Sequence, residues 1–149
     1  MGSTAPDYTF DGSFGGPVPV ISDPLGDLRF FASFRQKQDA YLIPQQRDAY
    51  SERLGQIKLT SNITSSMKWE VTGMLARQYG LSNNINGFAH IYDSGGDMAA
   101  GLEDARDRNN IFAKDTYSIT NIDRSQFGTK LTHTLGPSTF YTVRVQRNS

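Results

Sequence analysis

The sequence predicts an all-β protein, an antiparallel meander of about six long strands that forms a partial transmembrane β-barrel. Apolar and polar side chains alternate along six segments, as they do on strands whose two faces meet different environments. Tight turns alternate with long connections, which is typical of outer-membrane barrels with short periplasmic turns and long external loops. Nine Phe, seven Tyr and one Trp are present, and several lie near predicted strand ends, as in the aromatic girdles of such barrels.

The first four strands are predicted at residues 8–14, 27–37, 49–63 and 67–79. The link between the first two, residues 15–26, contains prolines that cannot donate a hydrogen bond to a sheet, so regular pairing should stop there. A longer link, from about residue 36 to 48, joins the second and third strands. The third and fourth strands are joined by a tight turn of small residues, Thr64, Ser65 and Ser66.

The last two strands, at residues 121–135 and 139–147, form the clearest predicted hairpin. Tyr141, Val143 and Val145 alternate with polar residues along the second of them. A short turn with Gly and Pro separates the two strands, as expected for a hairpin connection. This alternation suits a sheet with lipid on one side and a polar interior on the other.

Residues 80–118 are predicted to be a long extracellular loop rich in Asn, Gly and Asp. Within it, residues 97–108 have the composition of a short helix, which Asp97 would cap. His90, Asp93 and Asp97 are candidate ligand-binding residues of this loop. The simpler interpretation is a solvated turn, because the segment lacks the ligand spacing of an EF-hand and the Lys-Ser/Thr of a P-loop.

Five charged side chains share the polar face of the strands: Lys58, Lys68, Glu70, Lys130 and Arg144. On a lipid face near the bilayer midplane each Lys or Arg would cost about 2–4 kcal/mol, so we expect these residues to face the barrel lumen. Solvent exposure in a water-soluble sheet protein would suit the same residues. His133 falls on the apolar face near the last turn, where we expect an interfacial anchor.

The composition excludes several classes of function. Fifteen basic and fifteen acidic residues give no net charge, which removes the usual electrostatic case for a nucleic-acid partner. The absence of cysteine excludes disulfides and thiolate metal sites. The sequence contains neither a nucleophile–base pair nor a paired-carboxylate site that we can identify. We therefore predict no catalytic residues, no metal, no cofactor and no enzymatic activity.

Two other architectures share the same alternation. One is a water-soluble β-sandwich or small-barrel ligand-binding module, and the other is a complete small outer-membrane barrel, which needs at least about eight strands. The sandwich would bury the apolar strand face against a second sheet about 10 Å away. The partial barrel would leave the same residues with nothing from the chain across from them: Phe30, Leu59, Val71, Leu131 and Val143.

Several segments resemble TonB-dependent outer-membrane receptors. Residues 7–20 and 28–35 resemble the early barrel hairpin of that family, in which a Gly-Gly-Pro-hydrophobic-Pro turn precedes a Phe-Phe-x-Ser-x-Arg strand. Residues 47–50, 55–60 and 131–141 are similar to segments of members that carry a carboxypeptidase-regulatory-like N-terminal domain. Together these segments extend the resemblance over most of the chain outside the long loop.

The resemblance implies a place in a larger receptor. Such receptors have a plug domain and a barrel of about 22 strands. Residues 1–149 would then be one partial β-barrel domain, without a plug or a signal peptide, in the bacterial outer membrane. The implied partners are the lipid bilayer, the plug domain, TonB and a small nutrient such as a siderophore, cobalamin or glycan. The isolated chain is expected to aggregate in water, because its apolar face and sheet edges would be exposed.

Overall fold

The computed structural model describes residues 5–42, 46–83, 87–88, 95–103 and 117–149. Within these residues the strands form one sheet with the order β1-β2-β3-β4-β6-β7, and the two-residue β5 pairs only with β4. Each long strand therefore pairs with the long strand that follows it in the chain. This confirms the predicted all-β antiparallel meander of six long strands, and the sheet is not closed on itself.

The elements have the following bounds, in chain order: β1 Tyr8–Pro17, a 3-10 helix Asp23–Leu25, β2 Arg29–Ala40, β3 Ala49–Thr64, β4 Met67–Asn83, β5 Gly87–Phe88, α1 Gly95–Glu103, β6 Ser118–Gly136 and β7 Thr139–Asn148.

Several strands extend beyond their predicted ends. β4 continues to Asn83 and β6 begins at Ser118, although the Asn- and Gly-rich composition there predicts a loop. Ser82 and Thr120 lie on these extensions, and their hydroxyl oxygens are 2.7 Å apart. Cross-strand contacts between these residues therefore outweigh the weak strand propensity of the segments.

The helix α1 covers only part of the predicted helical segment. It begins at Gly95, so Asp97 lies inside the helix and does not precede it as a cap. The sequence predicted a later start because the two residues before Asp97 are glycines, which are poor helix formers. Residues 104–108, the remainder of the predicted helix, lie outside the described residues.

The chain divides into two compact units. Unit 1 contains residues 1–10, 36–53 and 77–122, and unit 2 contains residues 11–35, 54–76 and 123–149. The connections between β2 and β3 and between β4 and β6 belong to unit 1. The shorter connections, from β1 to β2, from β3 to β4 and from β6 to β7, belong to unit 2.

Unit 1 contains the buried large apolar side chains of the described residues, and most of them are aromatic. Tyr41, Tyr50, Leu81 and Tyr117 are the buried large apolar residues among those described, and all four belong to this unit. The backbone N–H of Leu81 donates a hydrogen bond to the Tyr41 hydroxyl oxygen at 3.2 Å. This hydrogen bond pairs one polar group from each of two residues that are almost fully removed from solvent.

Unit 2 has no comparable core among the described residues. Val143 is 54% exposed, and Phe30, Leu59, Val71 and Leu131 are only half-buried. All described long strands belong to one sheet, so no second sheet of the described chain covers the apolar face. The two-layer arrangement of a sandwich is therefore not present in the part of the chain that the structure describes.

The proline-containing link of unit 2 folds onto the end of β3. Gly26 has φ +70°, a left-handed conformation that favours glycine, and its carbonyl oxygen accepts a hydrogen bond from the N–H of Asn62 at 2.6 Å. The hydroxyl of the buried Ser61 donates to the carbonyl oxygen of Leu25. These contacts fix the turn against the sheet without regular strand pairing.

Candidate functional site

A charged cluster on the polar face of unit 2 has Glu70 at its centre. Lys130 Nζ lies 2.7 Å from Glu70 Oε2, while Lys68 Nζ and Lys58 Nζ lie 3.3 and 3.8 Å from Glu70 Oε1. The Glu70 side chain is only 12% exposed. Because β4 lies between β3 and β6 in the sheet, one carboxylate on β4 can contact lysines from both neighbouring strands.

Arg144 extends the cluster to β7. It lies directly opposite Lys130 in the register of β6 and β7, so both side chains are on the same face of the sheet. A cavity of about 170 Å³ lies there, and Glu70, Lys130, Arg144 and Gln146 are among the residues that line it. The structure therefore brings together all five charged residues that the sequence assigned to the polar face, and their orientation toward a barrel lumen stays a prediction.

The cluster carries more positive than negative charge. Four cationic side chains accompany the single carboxylate of Glu70, and no other carboxylate of the described chain forms an ion pair with Lys58, Lys68, Lys130 or Arg144. Arg144 is the cation of the set that has no ion-pair partner in the described residues. The local electrostatic potential should therefore favour anions.

The candidate ligand residues of the long loop are not assembled into a described site. His90 and Asp93 lie outside the described residues. Asp97 belongs to α1. Among the described residues, no group of three or more His, Asp or Glu residues is placed to hold a metal ion.

Sequence reasoning missed a second polar site of unit 2. Arg35 Nε lies 2.6 Å from Asp11 Oδ1, joining β2 to β1. This pair lines a cavity of about 620 Å³ together with Phe31, Ser13 and Ser33. Alternation placed Asp11 and Arg35 on the polar face, but only the pairing of the two strands shows that they are neighbours. Both side chains remain about half exposed.

Unit 1 contains hydrogen bonds around Glu52. The Tyr50 hydroxyl donates to Glu52 Oε2 at 2.9 Å, and Gln78 Nε2 donates to the same oxygen at 3.2 Å. Burial, followed by the neighbouring Glu52 carboxylate, raises the pKa of the Tyr50 hydroxyl, so this phenol stays protonated and acts as a donor. The arrangement joins β3 to β4 and has the character of a structural contact.

Another unit 1 contact involves Arg47. Its guanidinium lies 5.6 Å from the ring centroid of Tyr79, and its Nη2 donates to Asn121 Oδ1 at 2.7 Å. A cation over an aromatic face is attracted to the ring quadrupole. Arg47 therefore contacts a residue of β4 and a residue of β6, although neither contact could be read from alternation.

His133 and Tyr141 form a pair near the last turn. The His133 Nδ1 and the Tyr141 hydroxyl are 3.1 Å apart, and the rings meet edge to face with centroids 5.3 Å apart. The two residues lie directly opposite each other in the register of β6 and β7. An aromatic pair with polar atoms near a strand end suits a membrane interface, where we predicted an anchor.

No protein-family model, curated protein or solved structure matches the chain. Among the described residues, no helix has both the length and the apolar character needed to span a bilayer.

Proposed function

We propose that this chain forms part of the transmembrane wall of a TonB-dependent outer-membrane receptor, which takes up a small nutrient. The observation that carries the proposal is the apolar face of unit 2. Phe14, Leu75, Phe127 and Val145 are each at least 59% exposed, in a unit without a buried apolar core among its described residues. Large continuous apolar surfaces of this kind mark interaction or membrane-facing sites.

The opposite face of the sheet supports a polar interior. Unit 2 carries the Glu70 cluster and the Asp11–Arg35 pair there. A barrel wall in a membrane alternates lipid-facing and lumen-facing residues in this way. A sheet immersed in water on both sides would gain nothing from an apolar face that no other layer covers.

The strand lengths in unit 2 suit the thickness of a bilayer. β7 has 10 residues, and the part of β4 that belongs to unit 2, residues 67–76, has the same length. A tilted transmembrane strand needs about 9–11 residues to cross the hydrocarbon region. We therefore assign the unit 2 segments of the strands to the membrane.

A groove on the apolar face also fits a lipid environment. It has a volume of about 470 Å³, and its lining includes Gly55, Ile57, Gly73, Leu75 and Phe127. Arg147, near the end of β7, also lines it, and a long arginine side chain can carry its charge toward the interface while its stem covers apolar surface. A Cβ on Gly55 would meet no atom within 4 Å. The missing side chains leave a shallow depression between larger apolar residues, which a lipid acyl chain can fill.

The edges of the sheet indicate that the wall contains further strands. β1 and β7 lie at the two ends of the strand order, so each has one side without a partner in the described residues. In hydrocarbon every unsatisfied backbone group costs several kcal/mol, so neighbouring strands at both edges would stabilise such a wall. In the proposed receptor, other strands close the barrel, a plug fills it, and TonB supplies the energy for uptake.

The single tryptophan allows a direct test of the membrane-facing assignment. Trp69 is 41% exposed, and its indole N–H donates to Thr129 Oγ1 at 2.7 Å. We expect brominated acyl chains to quench Trp69 fluorescence strongly after the chain is refolded in the presence of lipid, while aqueous iodide quenches it weakly. The proposal predicts this order because Trp69 shares the face of β4 with Val71 and Leu75.

A matched variant moves the reporter to the other face. Phe31 follows Phe30, whose ring contacts Phe14 at a centroid distance of 5.7 Å, so alternation places Phe31 on the polar face. In the double variant Trp69→Phe with Phe31→Trp, iodide should be the stronger quencher. Equal quenching of the two proteins by iodide, with no effect of brominated lipid on Trp69, would overturn the membrane assignment.

The receptor assignment has a separate test in the genome. Sequencing the source DNA upstream of the codon for Met1 should reveal an in-frame region that encodes a plug domain. An unrelated reading frame on both sides of this region would contradict the receptor assignment, even if the quenching experiment places the apolar face in lipid.

A further inference from the structure

The Glu70 cluster contains more positive charge than its one carboxylate can balance. One carboxylate pairs with three lysines, and Arg144 adds a fourth cation opposite Lys130. Bringing like charges together on neighbouring strands is destabilising unless counter-charge is present. The described chain supplies only Glu70, so three positive charges of the cluster remain without a matching carboxylate.

We propose that this cluster binds a small phosphate-type oxyanion, either free or carried on a small organic ligand. Arginine and lysine are the side chains that bind phosphate oxygens most effectively. The arginine guanidinium forms two parallel hydrogen bonds, and the lysine ammonium acts as a point charge. A multivalent anion matches three unbalanced positive charges better than a single carboxylate does.

The cavity beside the cluster has a suitable size and lining. Its volume of about 170 Å³ corresponds to roughly six water molecules at the volume that each occupies in the liquid, which is room for one oxyanion with part of its hydration shell. Lys130 and Arg144 supply cationic donors at this cavity, and the hydroxyl of Thr72 and the amide of Gln146 add neutral hydrogen-bonding groups. Gly128 also lines it, and a side chain there would approach Thr72 Oγ1 at 3.1 Å.

Glu70 acts in this site as a positioning residue. Its carboxylate holds Lys130 at 2.7 Å and Lys68 at 3.3 Å, so two flexible ammonium groups are already ordered before an anion arrives. Ordering donors in advance lowers the entropic cost of binding. Arg144 forms no ion pair in the described chain, and its guanidinium is available to the ligand.

The inference rests on the proposed function, because the polar face must line a water-filled interior for an anion to reach it. The test uses the 149-residue chain refolded in dodecyl maltoside micelles, which contain no phosphate. Circular dichroism first shows whether the β-sheet forms. Isothermal titration calorimetry then measures binding of inorganic phosphate and of glycerol phosphate, with chloride as the control for ionic strength.

We expect saturable binding of at least one phosphate probe and no saturable binding of chloride. The tighter of the two probes shows whether the anion is free or part of an organic ligand. Arg144→Gln should weaken binding about tenfold, the loss expected for one charge-assisted contact. Lys68→Gln should weaken it less, because Lys68 belongs to the cluster but does not line the cavity. Both side chains are exposed or partly exposed, so neither substitution should disturb the sheet.

Arg29→Gln is the matched control, because it removes one positive charge of unit 2 that is already paired with Asp27 at 3.0 Å. Its affinity should stay unchanged. Equal weakening by all three substitutions, or a folded chain that binds neither probe, would overturn the anion site and leave the proposed function intact. A chain that folds as a soluble monomer in detergent-free buffer would contradict the proposed function, and the same titrations in that buffer would still decide the anion site.

Discussion

At the scale of one residue, Glu70 shows how strand pairing brings charged residues of one sheet face into contact. Sequence alternation placed Glu70, Lys58, Lys68 and Lys130 on one face, because side chains two residues apart on a strand point the same way. Alternation within single strands carries no information about which residues of other strands are adjacent. Lys58 on β3 and Lys130 on β6 form ion pairs with Glu70 because the pairing of the strands places them beside it.

Glu70→Gln should destabilise the sheet, because an amide cannot balance the charge of the lysines and Lys130 would lose a partly buried partner. We expect a loss of about 1–3 kcal/mol in the free energy of unfolding. The measurement is a urea titration of the micelle-refolded chain, followed by the fluorescence of the neighbouring Trp69. Asp11→Asn is the control, since the Asp11–Arg35 pair is about half exposed and should contribute less than about 1 kcal/mol. Equal losses in the two variants would contradict the central role of Glu70.

At the scale of the elements, the six long strands lie where the sequence predicted them, and only their ends differ. The turn after β3 and the turn after β6 are where small residues and proline indicated them. β4 and β6 extend further, and the extensions make contacts of their own: Ser82 contacts Thr120, and the N–H of the buried Leu81 donates to the Tyr41 hydroxyl. Residue composition describes local conformational preference, whereas the length of a paired strand also depends on the hydrogen bonds and side-chain contacts that the adjacent strand makes with it.

Gly26→Ala should disrupt the link between β1 and β2. An added Cβ would lie 2.0 Å from the carbonyl oxygen of Asn62, and the left-handed φ of +70° disfavours any residue with a side chain. We expect a loss of stability of at least about 1 kcal/mol, with faster proteolysis within residues 18–28. Gly55→Ala meets no atom within 4 Å and should leave the proteolysis rate unchanged. Similar rates for both variants would show that the link is not held in this conformation.

At the scale of the whole molecule, the two units differ in whether their large apolar side chains are buried or exposed. Unit 1 buries Tyr41, Tyr50, Leu81 and Tyr117. Unit 2 exposes most of its large apolar side chains, and the Glu70 cluster and the Asp11–Arg35 pair lie on the opposite face. A unit with an apolar surface and no core needs an apolar medium, and in the proposed receptor the bilayer supplies it.

Two neighbouring substitutions on β7 test this asymmetry. Val143→Lys places a charge on the apolar face opposite Leu131 and should cost about 2–4 kcal/mol in a lipid bilayer if the residue lies near the midplane. Thr142→Lys places the same charge on the face that carries Arg144 and should have little effect on stability. Both are measured by urea unfolding of the chain refolded in lipid vesicles. A smaller cost at Val143 than at Thr142 would reverse the assignment of the faces.

The sequence by itself determined the number of long strands and the short turns, because alternation and turn chemistry are local properties of the chain; the two-residue β5 was not predicted. It also determined which charged residues share the polar face. Only the tertiary structure decided that Glu70 contacts three lysines, that Tyr41 packs beside Leu81, and that Asp11 pairs with Arg35. These contacts join residues on different strands, and their geometry depends on register and pairing, which no short stretch of sequence contains.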